Sequence, residues 1–336
     1  MNGDVRDTRV LVTGASGYIA MHCILQLLRE GYHVRGTLRT PSREPELRQA
    51  FARYVDADDR LSFAAADLTS DDGWAEAVRN CRYVLHIASP NSPIEPQDEY
   101  AWIAPARDGT LRVLRAAADA GVQRVVMTSS LAAICRGNEA ETKVFTEADW
   151  SNLDVKIGAY ARSKTVAELS AWEFVNELPA GKMLELATIN PSYVIGPLLD
   201  EVKPASVEIV GKLLRREVPG CVHLGFSLVD VRDVASAHLS AMTEPQAAGK
   251  RFICDAEFYW SQEIAHVLEE HFGQRGYRTP TRMLPNFAMY LVAIFDKKVS
   301  GAFFPIWSAG HGIVRAAQEH AELATATCGG GDCGYG

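Results

Sequence analysis

The chain has 336 residues, 47% of them hydrophobic, so it is long enough to bury a large core in one domain or in a domain and a half. Its formal net charge of −8 at pH 7 disfavours nucleic acid and anionic membranes as partners. An odd count of seven cysteines, scattered through predicted core elements, predicts reduced thiols in a cytoplasmic protein. The polar start over residues 1–7 and the short apolar run over 287–295 predict neither a signal peptide nor a membrane span.

The first predicted element is a strand followed by a glycine-containing turn and a helix. Residues 9–12 form an apolar run rich in β-branched side chains, and apolar residues then recur at helical spacing until Gly31. Gly14 allows a sharp turn, Gly17 lets the backbone approach a pyrophosphate, and Ala20 lets the helix pack closely on the strand. The N–H groups and the positive dipole end of such a helix favour phosphate. The motif therefore predicts a dinucleotide site, although a glycine turn can also serve the backbone geometry alone.

The end of the second predicted strand, residues 33–39, indicates which dinucleotide is bound. An acidic residue there would bond a ribose hydroxyl of NAD, whereas an arginine would accommodate the 2′-phosphate of NADP. This chain carries Arg39, with Arg43 four residues on and no acid before Glu44. A guanidinium pairs with phosphate bidentately. The sequence thus favours NADP, and a solvated surface arginine is the alternative interpretation.

Further apolar runs predict a parallel sheet with helices on both faces. They predict strands at residues 61–66, 83–87, 124–128 and 184–189, alternating with helical patterns. Ligands in such sheets lie at the carboxyl ends of the strands. Five residues that follow predicted strands are therefore expected to converge on one edge: Thr13, Asp67, Ser89, Ser130 and Pro191.

A tyrosine and a lysine four residues apart are the strongest catalytic signal. Tyr160 and Lys164 share one face of a predicted helix, and a cation beside a phenol favours the phenolate and so makes the phenol a better acid. The serine pair Ser129-Ser130 ends the strand upstream, where the plain alternative is a turn that stops the strand. Adjacent side chains of an extended segment point opposite ways, so only one serine can face the site.

After Asn190 the pattern becomes irregular and is broken by several prolines. The sequence predicts a Rossmann domain over residues 1–190, with return segments from about 227–255, and a smaller substrate-binding lobe over 191–310. Residues 311–336 end in a glycine-rich stretch that contains Cys328 and Cys333 and predict a flexible tail. Apart from these two cysteines, the sequence has no cluster of histidines, cysteines or carboxylates at a spacing that predicts a metal site.

These motifs together resemble the extended short-chain dehydrogenase/reductase family, also described as the NAD-dependent epimerase/dehydratase family. The resemblance rests on residues 13–20, on Thr128-Ser129-Ser130 and on Tyr160-x-x-x-Lys164, and it runs in order from about residue 8 to about residue 296. The branch it is most similar to is that of dihydroflavonol 4-reductase-like aldehyde and ketone reductases. It implies hydride transfer from NADPH to a carbonyl carbon.

The resemblance also implies roles for individual residues. Ser130 would hydrogen-bond the carbonyl oxygen, Tyr160 would donate the proton, and Lys164 would hold the nicotinamide ribose. The implied cofactor-binding residues are Thr13, Gly14, Ser16, Gly17, Tyr18, Ile19, Arg39, Asp67, Leu68, Ala88, Ser89, Tyr160, Lys164 and Pro191.

The substrate is less well indicated. The pocket residues expected from position in the chain are Ser89, Pro90, Ile134, Cys135, Tyr193 and Phe226, which would suit an aromatic or medium-chain ketone or aldehyde. The polar residue that plant dihydroflavonol reductases carry five positions after the active serine is replaced by Cys135, a poor hydrogen-bonding partner. The residues before Tyr160 also lack the cinnamoyl-CoA reductase signature.

Other polar residues are expected to be structural. Asp67 would cap the following helix if it does not contact the cofactor. Asp230 and Asp233 flank Arg232, and we expect them to form a salt bridge or a helix cap. His86 lies inside an apolar strand, and we expect it to be a hydrogen-bonded histidine of the core.

Two other classes of protein have a similar fold and are the alternatives to a reductase. A nucleotide-sugar epimerase or dehydratase would hold NAD through an acid after the second strand, and a non-catalytic redox sensor would often lack the tyrosine and lysine. Arg39 disfavours the first and Tyr160 with Lys164 disfavours the second. The fold is expected to pair into a homodimer.

Overall fold

The structure is a computed structural model that describes residues 5–90, 96, 98, 100–138, 144–201 and 204–285. In these ranges the strands are β1 (Arg9–Val12), β2 (His33–Leu38), β3 (Leu61–Ala65), β4 (Tyr83–His86), β5 (Arg124–Thr128), β6 (Glu185–Pro191), β7 (Tyr193–Ile195), β8 (Gly225–Asp230), β9 (Lys250–Cys254) and β10 (Glu257–Trp260). The helices are α1 (Tyr18–Arg29), α2 (Glu44–Ala52), α3 (Trp74–Val78), α4 (Ile103–Asp119), α5 (Ala159–Asn176), α6 (Ala205–Leu214), α7 (Val231–Thr243) and α8 (Ser261–Phe272).

The main sheet has seven strands in the order β3-β2-β1-β4-β5-β6-β9. Every pairing in it is parallel. The first six strands follow the order of dinucleotide-binding folds, in which the strand order reverses between β1 and β4. The predicted doubly wound α/β class is confirmed, and the reversal places a crevice at the carboxyl ends of these two strands.

Helices cover both faces of this sheet because the strand side chains alternate. In β1, Val10 and Val12 pack into the buried cluster that α1, α2 and α7 share. Leu11 points to the opposite face and joins the cluster formed with α3, α4 and α5. All three side chains are fully buried. The strand that leads into the glycine turn is thus held from both sides.

A second, smaller sheet has three strands. Its order is β10-β8-β7, with β7 and β8 parallel and β8 and β10 antiparallel. Helix α7 packs against α1, and β9 extends the main sheet beside β6. The predicted return from about 227–255 therefore corresponds to α7 and β9, whereas β8 pairs within the small sheet. The predicted tail over residues 311–336 lies outside the described residues.

The strand predictions agree with the structure to within a residue for the first five strands. The sixth differs, because β6 continues through Pro191 and pairs it with Cys254 of β9. The N–H of Ser192 donates to the carbonyl of Cys254 at 3.0 Å, so the pairing continues past the proline, which has no N–H.

Within the described ranges, no helix is both long enough and apolar enough to cross a bilayer.

Candidate active site

Four of the five residues predicted to converge lie at the ends of neighbouring strands of the main sheet, and Asp67 follows β3 at one end of that sheet. Strands β1, β4, β5 and β6 are parallel neighbours, so their carboxyl ends lie side by side. Thr13 directly follows β1, Ser89 lies three residues beyond β4, and Ser130 lies two residues beyond β5. Pro191 is the last residue of β6. The edge therefore presents the glycine turn and the catalytic candidates together.

The glycine turn is held close to its neighbouring strands. Gly14 has φ of +68°, and a Cβ at this position would lie 3.0 Å from the Cβ of Ala88. The N–H groups of Gly14 and Ala15 donate to the side-chain and backbone oxygens of Thr37, each at 2.9 Å. Only glycine combines this left-handed backbone with the close approach to Ala88. The turn is thereby fixed to β2 and pressed against the end of β4.

The start of α1 is suited to an anion. Its N-cap, Gly17, is exposed and provides no side-chain cap. Ser16, Tyr18 and Ile19 are half-buried around it. Since the first N–H groups of a helix have no partner within the helix, this uncapped end offers donors and a positive dipole to phosphate oxygens. The residues present fit a dinucleotide pyrophosphate.

The side chain of Tyr18 faces the contact between α1 and α7. Its ring packs edge-on against that of His22, with the centroids 5.7 Å apart. Burial, followed by the nearby charge of Asp230, raises the pKa of Tyr18. This tyrosine is therefore a neutral packing residue, and its backbone N–H is the group available to a cofactor.

Thr13 ties the glycine turn to the end of β4. Its hydroxyl oxygen accepts the N–H groups of Ile87 and Ala88, at 3.0 and 2.9 Å. It also lies 3.1 Å from Nδ1 of His86, whose Nε2 lies 3.3 Å from the hydroxyl of Thr110. Burial, and then the charge of Lys164, lowers the pKa of His86 to about 3. His86 is thus the neutral, hydrogen-bonded core histidine that the sequence predicts.

A second neutral histidine supports β5. His238 of α7 is fully buried, with Nε2 2.6 Å from the hydroxyl of Thr128 and Nδ1 2.7 Å from the carbonyl of Val234. Burial lowers its pKa to about 4. The end of β5, which leads to Ser130, is therefore held by an uncharged imidazole.

These two histidines predict that the fold is acid-sensitive. Below the ordinary histidine pKa of 6.5 the unfolded chain binds protons that the folded chain does not, so stability is present above about pH 6.5 and is lost as pH falls toward 4. Melting temperatures measured from pH 7.5 to 4.5 should fall steadily. His238→Gln should flatten this slope, whereas His266→Gln, at an exposed position, should leave it unchanged. Equal melting temperatures across the range would contradict the expectation.

Arg39 lies exposed directly after β2, beside the end of β3. Hydrogen bonds from Thr69, together with the nearby charge of Arg39, lower the pKa of Asp67. Arg43 differs, since its guanidinium is paired with Glu46 at 2.8 Å. Of the two arginines, Arg39 is the one at the strand end where a ribose phosphate would lie.

The predicted capping role of Asp67 is wrong. Its carboxylate accepts the N–H and the hydroxyl of Thr69, at 2.8 and 2.9 Å, and so closes a local turn. Helix α3 begins only at Trp74, too far along the chain for Asp67 to reach its first N–H groups. Leu68 beside it packs on α4, where a Cβ at Gly109 would come within 2.9 Å of the Leu68 Cβ. Both residues remain at the strand edge, where a cofactor would pass.

The two serines after β5 are in different environments. The hydroxyl of Ser129 is buried and donates to the carboxylate of Glu168 at 2.5 Å. That of Ser130 accepts the N–H of Ala132 at 3.1 Å and caps a short 3-10 helix, Leu131–Ala133. Its own proton stays available to donate. This difference supports Ser130, rather than Ser129, as the serine that serves the site.

Helix α5 carries Tyr160 and Lys164 one turn apart at its N-terminal end. The side chain of Tyr160 is 39% exposed, so its phenol is accessible from solvent. Lys164 is buried, and its Nζ donates to the carbonyl of Thr128 at 3.4 Å. This bond links α5 to the end of β5 and brings Lys164 next to the segment that carries Ser130.

The residues predicted to line the substrate pocket differ in burial and in their place in the fold. Tyr193 and Phe226 pack together with ring centroids 5.3 Å apart, and they belong to the small sheet. Ser89 and Pro90 are half-buried at the end of β4, and Cys135 is half-buried beyond the 3-10 helix. Ile134 is fully buried, so it has no surface to offer a substrate.

The structural role predicted for Asp230 is confirmed, and Asp233 lies in the first turn of α7. Asp230 caps α7 by accepting the N–H of Arg232 at 2.8 Å, and it forms an ion pair with the Arg232 guanidinium at 2.7 Å. In the part of the chain that the structure describes, no three potential metal ligands lie close together.

A group of buried polar residues lies behind the catalytic candidates and was not predicted from the sequence. Glu168, Asn190 and Arg251 are joined by hydrogen bonds beneath Ser129 and Ser130. Glu168 follows Lys164 at the same four-residue spacing that separates Lys164 from Tyr160. That repeated spacing, which places Glu168 on the same helix face as Lys164, is the signal that could have found this residue.

Comparison with known proteins identifies the family of the chain. The family model for the NAD dependent epimerase/dehydratase family matches residues 10–254. Cinnamoyl-CoA reductase 1 of Petunia hybrida is 36% identical over 278 residues, which are 81% of this chain and 79% of that protein. Cinnamoyl-CoA reductase 2 of Medicago truncatula is 33% identical over 326 residues, covering 94% of this chain and 93% of that protein.

Solved structures give the same picture. Yeast methylglyoxal/isovaleraldehyde reductase Gre2, complexed with NADPH, matches with a TM-score of 0.73 and 27% identity over 90% of this chain and 98% of that chain. Gre2 of Candida albicans, also complexed with NADPH, matches with a TM-score of 0.72 and 27% identity over 90% of this chain and 99% of that chain. The chain therefore belongs to the NAD dependent epimerase/dehydratase family, within its dihydroflavonol 4-reductase-like branch of reductases.

Proposed function

We propose that this protein is an NADP-dependent oxidoreductase that reduces a ketone or an aldehyde to an alcohol. The observation that carries the proposal is the meeting of Ser130, Tyr160 and Lys164 with an uncapped glycine turn at one sheet edge. The relatives named as reductases and the two NADPH complexes support it.

The residues divide the work as follows. Bound NADPH supplies the hydride that reduces the carbonyl carbon. Ser130 donates a hydrogen bond to the carbonyl oxygen and stabilises its developing negative charge. Tyr160 gives its phenolic proton to that oxygen, which completes the alcohol. Lys164, one turn along α5 from Tyr160, holds the nicotinamide ribose.

The cofactor is held by the groups at the strand ends. The glycine turn and the first turn of α1 hold the pyrophosphate, through Thr13, Gly14, Ser16, Gly17, Tyr18 and Ile19. The adenosine side lies by Arg39, Asp67 and Leu68, and the nicotinamide side by Ala88, Ser89, Tyr160, Lys164 and Pro191.

Arg39 sets the preference for NADP over NAD. We expect Arg39→Glu to lower kcat/KM for NADPH about 10- to 100-fold, because a charge-assisted bond to the 2′-phosphate is lost and a repulsion replaces it. The value for NADH should fall much less. Arg48→Glu is the matched control, since Arg48 is an exposed arginine on α2 that pairs with Glu44. Equal losses with both cofactors would contradict this role for Arg39.

The substrate is an aromatic or medium-chain carbonyl compound. The rings of Tyr193 and Phe226 and the apolar thiol of Cys135 support an apolar pocket without a strong hydrogen-bonding group. Purified protein should oxidise NADPH when offered aryl and alkyl ketones and aldehydes. A broad panel with no substrate among them would refute the proposed function.

A cytoplasmic location and a homodimer complete the proposal. All five cysteines in the described ranges are free thiols, which supports a reducing compartment. The long helices α4 and α5 pack side by side and are the elements proposed to pair subunits. Light scattering during size-exclusion chromatography should give twice the mass of 36.8 kDa.

A further inference from the structure

Glu168 lies at the centre of a buried polar cluster directly behind the catalytic candidates. It is on α5, one turn beyond Lys164 and two turns beyond Tyr160. Its side chain is fully buried, and that of its ion-pair partner Arg251, 2.7 Å away on β9, is 8% exposed. The proposed reaction uses neither of them, so this charged pair inside the protein needs another explanation.

The Glu168 carboxylate accepts hydrogen bonds from four residues in three other parts of the fold. Oε2 accepts from the hydroxyl of Ser129 at 2.5 Å and from Nδ2 of Asn190 at 2.9 Å. Oε1 accepts from the hydroxyl of Thr188 at 3.0 Å and from Nε of Arg251 at 2.7 Å. One side chain thus joins α5 to the end of β5, to β6 and to β9.

The cluster reaches the backbone of Ser130 itself. Nδ2 of Asn190, already bound to Glu168, also donates to the carbonyl of Ser130 at 3.2 Å. On the other side, Lys164 donates to the carbonyl of Thr128. The short segment from Thr128 to Ser130 is therefore attached to α5 at both ends. The same helix carries Tyr160, so the two groups that would contact the carbonyl oxygen are held by one element.

Arg251 supplies the positive charge that pairs with the Glu168 carboxylate. Its Nη1 donates to the carbonyls of Glu147 and Asp149, at 2.7 and 2.6 Å, and its guanidinium lies 3.7 Å from the centre of the Trp150 ring. These contacts hold the guanidinium in one orientation, with its Nε toward Glu168. The Glu168 carboxylate is thereby paired with a cation that keeps one orientation, and its two oxygens accept from the donors around them.

We propose that Glu168, held by Arg251, is a positioning residue that sets the distance between Ser130 and Tyr160 for catalysis. This inference rests on the proposed reductase function. A carboxylate suits the role because only an acceptor without protons can serve a hydroxyl, an amide and a guanidinium at once. Since small displacements of reacting groups can cost about 100-fold in rate, loss of this clamp should act on the chemical step.

Two substitutions test the clamp. Glu168→Gln puts an amide N–H₂ against groups that are themselves donors, and we expect kcat to fall about 30- to 100-fold. Ser129→Ala removes one donor and leaves the ion pair intact, and we expect a fall of about 5- to 10-fold. In both variants the Kd for NADPH should stay within about twofold, and the isotope effect on kcat with NADPH deuterated at the transferred position should rise. Glu173→Gln, at an exposed position on the same helix, is the control and should match the wild type.

The outcomes separate the two proposals. If wild-type protein turns over a carbonyl compound and folded Glu168→Gln and Ser129→Ala keep its kcat and isotope effect, Glu168 is only structural and the inference is overturned. If Glu168→Gln does not fold, Ser129→Ala alone decides by the same criteria. Wild-type protein that turns over no carbonyl compound overturns the proposed function and, with it, this inference.

Discussion

Tyr160→Phe is expected to lower kcat by about 10²- to 10⁴-fold, because it removes the proton donor. The phenol ring stays in place, and its 39% exposure means that loss of the hydroxyl should change the free energy of unfolding by less than about 0.5 kcal/mol. The Kd for NADPH, measured by quenching of protein fluorescence, should stay within a few-fold of the wild-type value. The loss should therefore appear in kcat and not in cofactor binding.

The matched control is Tyr54→Phe, at a tyrosine of similar exposure away from the sheet edge. It should leave kcat, KM and the melting temperature unchanged. A Tyr160→Phe variant that keeps more than about a tenth of the wild-type kcat would show that another group supplies the proton. It would contradict the assignment of Tyr160 as general acid.

Ser130→Ala carries the second large effect. We expect kcat to fall about 10²- to 10³-fold, because a hydrogen-bond donor to the developing oxyanion is lost. The substitution also removes the cap on residues 131–133, so a loss of stability of about 1 kcal/mol should accompany it. Rates must therefore be measured below the melting transition of the variant, with folding checked by circular dichroism.

Comparison with Ser129→Ala makes this prediction specific. The hydroxyl of Ser129 is committed to Glu168, so its loss should cost far less in kcat than the loss of the Ser130 hydroxyl. The opposite order, with Ser129→Ala the more damaged variant, would exchange the roles of the two serines. In that case the hydroxyl of Ser130 would serve only to accept the N–H of Ala132 and would take no part in the reaction.

Much of the fold follows from local sequence pattern. Short apolar runs bounded by glycine, such as residues 9–12 before Gly14, define the strands of the main sheet, and the spacing of Tyr160 and Lys164 places them on one helix face. The left-handed backbone of Gly14 makes the sharp turn that its position predicts, and Gly17 is the N-cap of α1. These features could be predicted because each depends on residues within a few positions of one another.

The features that the sequence did not reveal depend on distant contacts. Apart from Trp172 on the same helix, the partners of Glu168 lie between 20 and 83 residues away along the chain, so local spacing can indicate Glu168 but not the cluster around it. His238 reaches Thr128 across 110 residues. Ile134 resembles a pocket residue by position, yet it is enclosed by the fold. Burial of this kind is decided by how helices pack on the sheet, which pattern alone does not give.

The most direct test of the reductase proposal is steady-state turnover by the purified wild-type protein, with NADPH and NADH compared across a panel of aryl and alkyl ketones and aldehydes. Turnover is followed as loss of absorbance at the reduced nicotinamide band. The kcat/KM for NADPH should be at least about tenfold higher than that for NADH, as one charge-assisted bond to the 2′-phosphate implies. Turnover should also depend on the carbonyl compound. Protein that retains tightly bound NAD and consumes neither cofactor with any carbonyl compound would contradict the proposal and favour an epimerase or dehydratase.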